Sequence, residues 1–95
     1  MGSYAVVWRE EEGPLRIGRL ELQPDRVLLD GGLTRELPYR EIEEARVGRG
    51  ARERIGGRPT LLVRLRSGPG VAIATIGAPG ALAELAERLL LQVAV

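Results

Sequence analysis

The segment with the most chemistry in this sequence is the arginine-rich stretch between Arg46 and Arg58. Five arginines outweigh a single carboxylate there, and glycines stand between them. The arginines are Arg46, Arg49, Arg52, Arg54 and Arg58. Guanidinium groups bind carboxylates and phosphates through paired N–H donors, and glycine lets backbone amides approach an anion. The stretch therefore predicts a candidate anion-binding loop.

A solvated loop between two strands is the second interpretation of this stretch. Residues 1–45 carry six arginines against ten acidic residues, so the loop is the basic counterpart of an acidic half. The carboxylates available for ion pairs are Glu10 to Glu12, Glu41, Glu43 and Glu44. Exposed ion pairs of this kind contribute little to stability. The sequence leaves both interpretations open.

Neither nucleic-acid binding nor catalysis is favoured by the residue types present. The net charge is only +1, and the aromatic residues available for stacking are Tyr4, Trp8 and Tyr39, whereas nucleic-acid-binding domains are usually strongly basic. Histidine and cysteine are absent, and Ser3 and Ser67 have no recognisable activating base. The absence of cysteine also excludes disulfides and thiolate metal sites. We therefore expect a protein that is not an enzyme and has no catalytic residues, metal ion or cofactor.

Hydrophobic alternation and turn residues divide the chain into seven short strands. The strand-like segments are residues 4–9, 15–22, 27–29, 33–37, 42–47, 60–66 and 71–76. Alternation is clearest at Leu61, Val63 and Leu65, which share one face. Proline and glycine mark the turns. Pro24, for example, takes the second position of a predicted type I turn. A chain of 95 residues holds one core, so we predict a single domain over residues 1–95.

The second strand-like segment changes hydrophobic phase at Gly18. Leu15 and Ile17 lie on one face of an ideal strand. Leu20 and Leu22 lie on the opposite face. A glycine at such a switch predicts a β-bulge or a sharp bend, which allows one strand to serve both halves of a barrel.

The last segment, from Pro79 to about Gln92, is the one convincing helix. Apolar residues recur there at helical spacing, namely Leu82, Leu85, Ala86, Leu89 and Val93. Glu84 precedes Arg88 by four residues, which is the favourable order for an ion pair on a helix. Leu91 points opposite to the apolar stripe. It is either an ordinary exposed leucine or a contact for self-association.

Seven short strands followed by one amphipathic helix resemble the pleckstrin-homology-like (PH-like) fold, in particular small bacterial PH-like domains. The resemblance covers nearly the whole chain. The patterns that carry it are Gly18-Arg19-Leu20-Glu21-Leu22 continuing to Leu29, Leu37-Pro38-Tyr39-Arg40-Glu41-Ile42, and Gly80-Ala81-Leu82-Ala83-Glu84-Leu85. It implies a mostly β fold, a bent antiparallel barrel of about seven strands capped by one C-terminal amphipathic helix. It also implies a non-enzymatic module that binds lipids, peptides or proteins.

Lipid-binding members of that family place a basic cluster in and beside the loop that joins the first two strands. This sequence has Glu10-Glu11-Glu12 at that point, and three consecutive carboxylates repel a phosphorylated headgroup. Arg16 and Arg19 follow and compensate in part. An anionic lipid partner is therefore disfavoured.

Trp8 and Tyr39 have two interpretations. Large aromatic residues usually pack in or beside a core, with the polar atom hydrogen-bonded. The alternative is an anchor at a protein interface, because tryptophan, tyrosine and arginine dominate interface energies. Together with Leu91, these two residues are the candidate interface positions.

The sequence as a whole predicts a non-enzymatic module for protein–protein interaction or self-assembly. Its expected partner is another protein or a second copy of the chain. The alternative is an anionic lipid headgroup or a phosphate-bearing ligand bound through residues 46–58. No stretch approaches the roughly 18 consecutive apolar residues of a membrane span, and no secretory signal is recognisable, so we expect a cytoplasmic protein.

Overall fold

The structure is a computed structural model that describes residues 2–77 and 80–93. Within these residues, seven β-strands and one α-helix follow one another along the chain. The elements are β1 (Ser3–Glu10), β2 (Arg16–Leu22), β3 (Arg26–Asp30), β4 (Thr34–Pro38), a 3₁₀ helix (Tyr39–Glu41), β5 (Ile42–Gly48), β6 (Thr60–Leu65), β7 (Val71–Thr75) and α1 (Ala81–Val93). The predicted number of strands and the terminal helix are confirmed.

All neighbouring strands are antiparallel, and they lie in the order β4-β3-β2-β1-β7-β6-β5. Strands β1 to β4 form one meander and β5 to β7 form another. The two meanders join because β1 pairs with both β2 and β7. The sheet curls into a half-barrel with β4 and β5 at its edges, which confirms the mostly β class. Pro38 ends the edge strand β4, as expected for a residue that cannot donate to a ladder.

The concave face of the half-barrel holds the hydrophobic core. Trp8 of β1 and Leu20 of β2 have no exposed surface. Strand β6 shows the predicted alternation, since Leu61, Val63 and Leu65 all belong to the core. The convex face is consequently lined by the alternate residues of the same strands.

Helix α1 covers the concave face and contacts β5, β6 and β7. Its predicted apolar stripe is confirmed, because Leu85, Ala86 and Leu89 are buried, while Leu82 and Val93 are partly buried against the core. The predicted helix start at Pro79 lies outside the described residues. The first backbone hydrogen bond runs from the Glu84 N–H to the Gly80 carbonyl oxygen, at 3.0 Å.

Sequence reasoning allowed a β-bulge or a sharp bend at Gly18. The residue lies in a regular ladder, so the β-bulge is wrong. The register between β1 and β2 is unbroken on both sides of it. Glycine is required for another reason. A Cβ atom at position 18 would lie 1.8 Å from the carbonyl oxygen of Asp30, so only a residue without a side chain admits the end of β3 this close. Strand β1, and not β2, is the strand shared by both halves of the sheet.

Candidate interaction surface

The convex face of the half-barrel carries apolar side chains that point away from the core. Ile17 of β2 lies opposite Val7 of β1, and Val7 lies opposite Ala74 of β7, so three strands contribute to one row. Ile17 is 75% exposed, and Leu15, two residues before it on the same face, is 55% exposed. The phase change in this strand therefore reflects exposed apolar residues next to the buried Leu20.

The loop between β5 and β6 folds over one end of this row. Ile55 of the loop is buried, yet it lies outside the main core. Ala74 is fully buried although it shares the convex face with Val7. A cavity of about 460 Å³ opens here, which we call the outer-face groove. Its lining residues are Val7, Leu15, Ile17, Ile55, Gly56, Arg58, Ala74 and Ile76.

A tight turn at Gly56 and Gly57 shapes the tip of this loop. Both residues have positive φ angles, 60° and 78°. Positive φ at both central positions defines the type I′ turn, which glycine adopts without steric cost. The Arg58 N–H closes the turn by donating to the Ile55 carbonyl oxygen at 3.0 Å. These two glycines therefore form a hairpin tip.

Thr60 holds the base of the same hairpin. Its hydroxyl oxygen accepts a hydrogen bond from the Ile55 N–H, and its hydroxyl donates to the Arg58 carbonyl oxygen, each over 2.9 Å. The Thr60 side chain is fully buried. The bond from the Ile55 N–H is buried and the bond to the Arg58 carbonyl is partly buried, so the hydroxyl fixes the two sides of the hairpin relative to each other.

Glu53 organises the other half of the loop. One carboxylate oxygen accepts the Gly50 N–H at 3.2 Å, and the other accepts the Arg46 guanidinium at 2.6 Å. The hydrogen bond from Arg46 lowers the pKa of Glu53 below its ordinary value, and the backbone amide of Gly50 adds to this effect. The same bond raises the pKa of Arg46. The Glu53 carboxylate is therefore the anion that the Arg46 guanidinium and the Gly50 amide bind.

The five arginines of the predicted anion site have different surroundings. Arg46 is engaged by Glu53. The Arg54 Nε donates to the Arg49 carbonyl oxygen at 2.8 Å, and an Arg58 nitrogen donates to the Thr75 carbonyl oxygen at 3.4 Å. Arg49 and Arg52 are exposed, and neither side chain forms an ion pair within the described residues. The structure therefore does not gather the five guanidinium groups around one empty position.

The acidic partners considered for these arginines pair elsewhere. Arg64 of β6 lies 3.2 Å from Glu43 and 3.3 Å from Glu44. Arg35 of β4 lies 3.5 Å from Glu10. Within residues 2–77 and 80–93, these glutamates form no ion pair with the arginine-rich loop. The physical reason is that β6 supplies a closer cation to the neighbouring strand β5.

Arginines border the outer-face groove. Arg58 lines it directly. Arg9 follows Val7 on the same face of β1, and Arg19 follows Ile17 on the same face of β2. None of the three forms an ion pair in the described part of the chain. Asp30 lies opposite Arg19 in the register, but its carboxylate accepts the Thr34 hydroxyl at 3.0 Å instead.

A smaller neighbouring cavity continues the convex face towards β6. It has a volume of about 300 Å³. Its lining residues are Arg9, Glu11, Leu62, Val63, Arg64, Gly70, Val71 and Ala72. Arg9 lines this cavity as well as bordering the apolar row, and Glu11 supplies a carboxylate. The convex face is therefore apolar at its centre and charged at its margin.

Two of the three predicted interface residues are inside the fold. Trp8 has no exposed surface, and its Nε1–H donates to the Asp30 carbonyl oxygen at 2.9 Å. Tyr39 is buried, and its hydroxyl donates to the Gln23 carbonyl oxygen at 2.6 Å. Burial raises the pKa of Tyr39. The core interpretation holds for both rings, so neither is available as an interface anchor in the folded chain.

The third predicted interface residue, Leu91, is at the surface. Its side chain is 68% exposed on the face of α1 that points away from the core. The neighbouring Leu90 is also exposed. Glu84 and Glu87 lie on this side of the helix, and Arg88 lies 3.9 Å from Glu84. This outer helix face is therefore apolar towards its C-terminal end and mostly acidic before it.

Within 2–77 and 80–93, the acidic residues form no cluster of three that could hold a metal ion. In the same ranges, no helix is both long enough and apolar enough to span a bilayer.

No protein-family model and no curated protein matches this chain. Its fold is similar to the crystal structure of the C-terminal domain of an unknown protein from Leishmania infantum, with a TM-score of 0.70. The sequence identity is 16%, and the similarity covers 95% of this chain and 83% of that chain. At this identity the likeness shows the fold alone.

Proposed function

We propose that this chain is a non-enzymatic, PH-like binding module that holds a segment of another polypeptide in the outer-face groove. The observation that carries the proposal is the exposure of Leu15 and Ile17 beside a cavity bordered by arginines. Exposed apolar patches with a polar margin are characteristic of interaction sites. The occupant that fits this surface presents apolar side chains flanked by carboxylates, because Arg58, Arg9 and Arg19 have no carboxylate partner of their own within the described contacts.

A polypeptide fits this surface better than an anionic membrane does. Glu11 and Glu12 are exposed, and they precede Leu15 by only a few residues. A flat anionic bilayer would have to approach these carboxylates together with the apolar row, and like charges repel. A peptide of limited width can follow the groove and leave the acidic turn in water.

The groove is also a better candidate than the arginine-rich loop alone. Glu53 already occupies the Gly50 amide that a bound anion would use, and it neutralises Arg46. An incoming phosphate would have to displace a carboxylate held by two hydrogen bonds. The loop supports the groove instead, since it contributes Ile55, Gly56 and Arg58 to the lining.

A displayed peptide library, selected on the purified protein, tests this function. We expect the enriched peptides to combine leucine, isoleucine or valine with aspartate or glutamate. Amide chemical shifts should change around Ile17 and Ile55 when such a peptide binds. The substitution Ile17→Ser should weaken binding at least about tenfold, the usual effect at a central interface residue. Leu33→Ser is the matched control, because Leu33 is also exposed but lies outside the groove.

Two results would contradict the proposal. One is a selection that enriches no peptide whose binding depends on Ile17. The other is binding to vesicles of an anionic phospholipid, or to inorganic phosphate, that is lost when Arg49, Arg52 and Arg54 are all replaced by alanine. That second result would establish the anion site in place of the groove.

A further inference from the structure

Among residues 2–77 and 80–93, the exposed large apolar residues fall into two patches and one isolated position. One patch is the pair Leu15 and Ile17 on the convex face, and the other is the pair Leu90 and Leu91 on α1. Leu33, in the turn between β3 and β4, stands alone. Single exposed leucines are ordinary, whereas contiguous exposed apolar patches with a polar margin mark interaction sites.

The charges around the two patches differ in balance. The convex patch is bordered by Arg58, Arg9 and Arg19, and the exposed Glu11 and Glu12 lie in the turn before Leu15. The helix patch is preceded by Glu84 and Glu87, with Arg88 as the one nearby cation. Glu84 is shared by Arg88 and by the Tyr4 hydroxyl, which donates to it at 2.7 Å. Glu87 forms no ion pair within the described contacts. The helix patch thus has the chemistry that the outer-face groove fits.

The two patches cannot meet within one molecule. Leu85 and Leu89 attach α1 to the concave side of the sheet, so Leu91 points away from it. Ile17 points away from the same core on the convex side. The hydrophobic core therefore lies between the patches, and each is free to contact a neighbouring molecule.

We propose that the occupant of the outer-face groove is the outer helix face of a second copy of this chain. The inference rests on the proposed function and names its partner. Leu90 and Leu91 of one copy lie against Leu15 and Ile17 of the next, and Glu87 approaches Arg58. Such a contact joins two different surfaces, so an open array keeps one groove and one helix face free at its ends, and a closed ring keeps none. The association is head to tail and extends with concentration.

Pairing of the sheet edges is a less suitable route to self-association. Strand β4 has only five residues and ends at Pro38. Strand β5 has a register shift between Ile42 and Glu44 and presents the glutamates that pair with Arg64. Short strands, proline, bulges and charges are the features that block edge-to-edge pairing.

The test is sedimentation velocity from micromolar to millimolar protein, with one variant for each patch. The wild-type protein should form species that grow with concentration. Ile17→Asp abolishes binding by the groove, and Leu91→Asp abolishes binding by the outer helix face. Each variant alone should therefore remain a monomer. An equimolar mixture should form a dimer and nothing larger, because one intact groove and one intact helix face are left. Leu33→Asp is the control and should assemble like the wild type.

The mixture separates a head-to-tail contact from a symmetric one. A symmetric helix contact would let Ile17→Asp dimerise alone, and a symmetric sheet contact would let Leu91→Asp do so; either result overturns the inference. A charge exchange gives a second measurement. Arg58→Glu and Glu87→Arg should each weaken assembly, and the doubly substituted chain should recover part of it. All substituted residues are exposed, so the variants should fold, and circular dichroism verifies this.

The two proposals fail in different ways. A wild-type protein that stays monomeric at millimolar concentration, but binds selected acidic peptides through Ile17, overturns the self-association and leaves the binding function standing. A monomer that binds no such peptide overturns both. Assembly that is strengthened by salt would also contradict the charge pairing, since screening weakens opposite-charge contacts.

Discussion

The indole Nε1–H of Trp8 donates to the backbone carbonyl oxygen of Asp30 over 2.9 Å, and this bond ties the central strand β1 to the end of β3 across β2. The ring is fully buried, and the Arg16 guanidinium lies 6.0 Å from its centre. Strands β1 and β3 are not neighbours in the sheet, so the side chain supplies a connection that the ladder does not. The position of the turn after β3 therefore depends on a tryptophan.

Replacing Trp8 by phenylalanine should lower the free energy of unfolding by about 1–3 kcal/mol, because the partly buried Asp30 carbonyl loses its donor and the buried ring loses volume. Urea unfolding followed by circular dichroism measures this loss. Tyr4→Phe is the control: it also removes one hydrogen bond, to Glu84, but at an exposed site. A Trp8→Phe effect no larger than that of Tyr4→Phe would argue against a structural role for the indole bond.

Gly18→Ala should destabilise the fold by about 3 kcal/mol, at the upper end of the usual cost of overpacking. The added methyl group would overlap the Asp30 carbonyl oxygen, and a backbone atom in a ladder cannot move aside alone. Thermal unfolding measures the effect. At Gly50, a Cβ would meet only the end of the Glu53 side chain, so Gly50→Ala should change the midpoint little. Equal midpoints of thermal unfolding for Gly18→Ala and Gly50→Ala would contradict this prediction, because they would show that β2 and the end of β3 move apart at little cost.

Thr60→Val should loosen the hairpin that forms one wall of the groove. Valine keeps the shape but leaves the Ile55 N–H and the Arg58 carbonyl without their partner. An unsatisfied buried polar group costs about 1–3 kcal/mol, so exchange of the Ile55 amide proton should accelerate about tenfold or more. Hydrogen exchange by NMR measures it. Thr34→Val removes an exposed hydroxyl bonded to Asp30 and should leave the Ile55 rate unchanged.

Acid should release the other half of the same loop through Glu53. The pKa of Glu53 is lowered in the folded chain by the Arg46 hydrogen bond, so the bond stabilises the loop above about pH 4.3, the pKa of an unperturbed glutamate. That contribution is lost as the pH falls through the lowered pKa. The Gly50 amide resonance should shift across this acidic range. The shift should vanish in Glu53→Gln, and a shift that persisted there would assign it to another carboxylate.

Much of the fold could be predicted from the sequence, because the apolar alternation of β6 and the stripe of α1 reflect burial directly. Gly18 shows where this reasoning failed. An exposed apolar pair and a β-bulge produce the same change of phase in a sequence. A β-bulge or a sharp bend follows from the change of phase only if Leu15 and Ile17 are buried. If Leu15 and Ile17 are taken as surface residues, the change of phase locates the groove.

The candidate site was less predictable than the fold. A single apolar residue, Ile55, among glycines and arginines gave no periodic pattern, yet it anchors the loop to the convex face. The number of arginines suggested one anion site. The arginine side chains contact different partners, however, and the spacing of residues in the sequence does not show which partners are close in the fold. Spacing alone allows both environments for Trp8 and Tyr39. Their hydrogen-bond partners, the carbonyl oxygens of Asp30 at the end of β3 and of Gln23 in the turn before β3, lie far from them in the sequence.

The order of strands in the sheet determines how the chain can be circularly permuted. Gly2 lies beside the Arg88 side chain, so the start of β1 is close to α1. Joining the chain ends by a linker and opening the chain between Arg40 and Glu41 would make every pair of neighbouring strands consecutive, with α1 as the connection between β7 and β1. We expect this circular permutant to fold to the same sheet. It should refold faster than the natural order, because the distant closure of β1 on β7 becomes a local one.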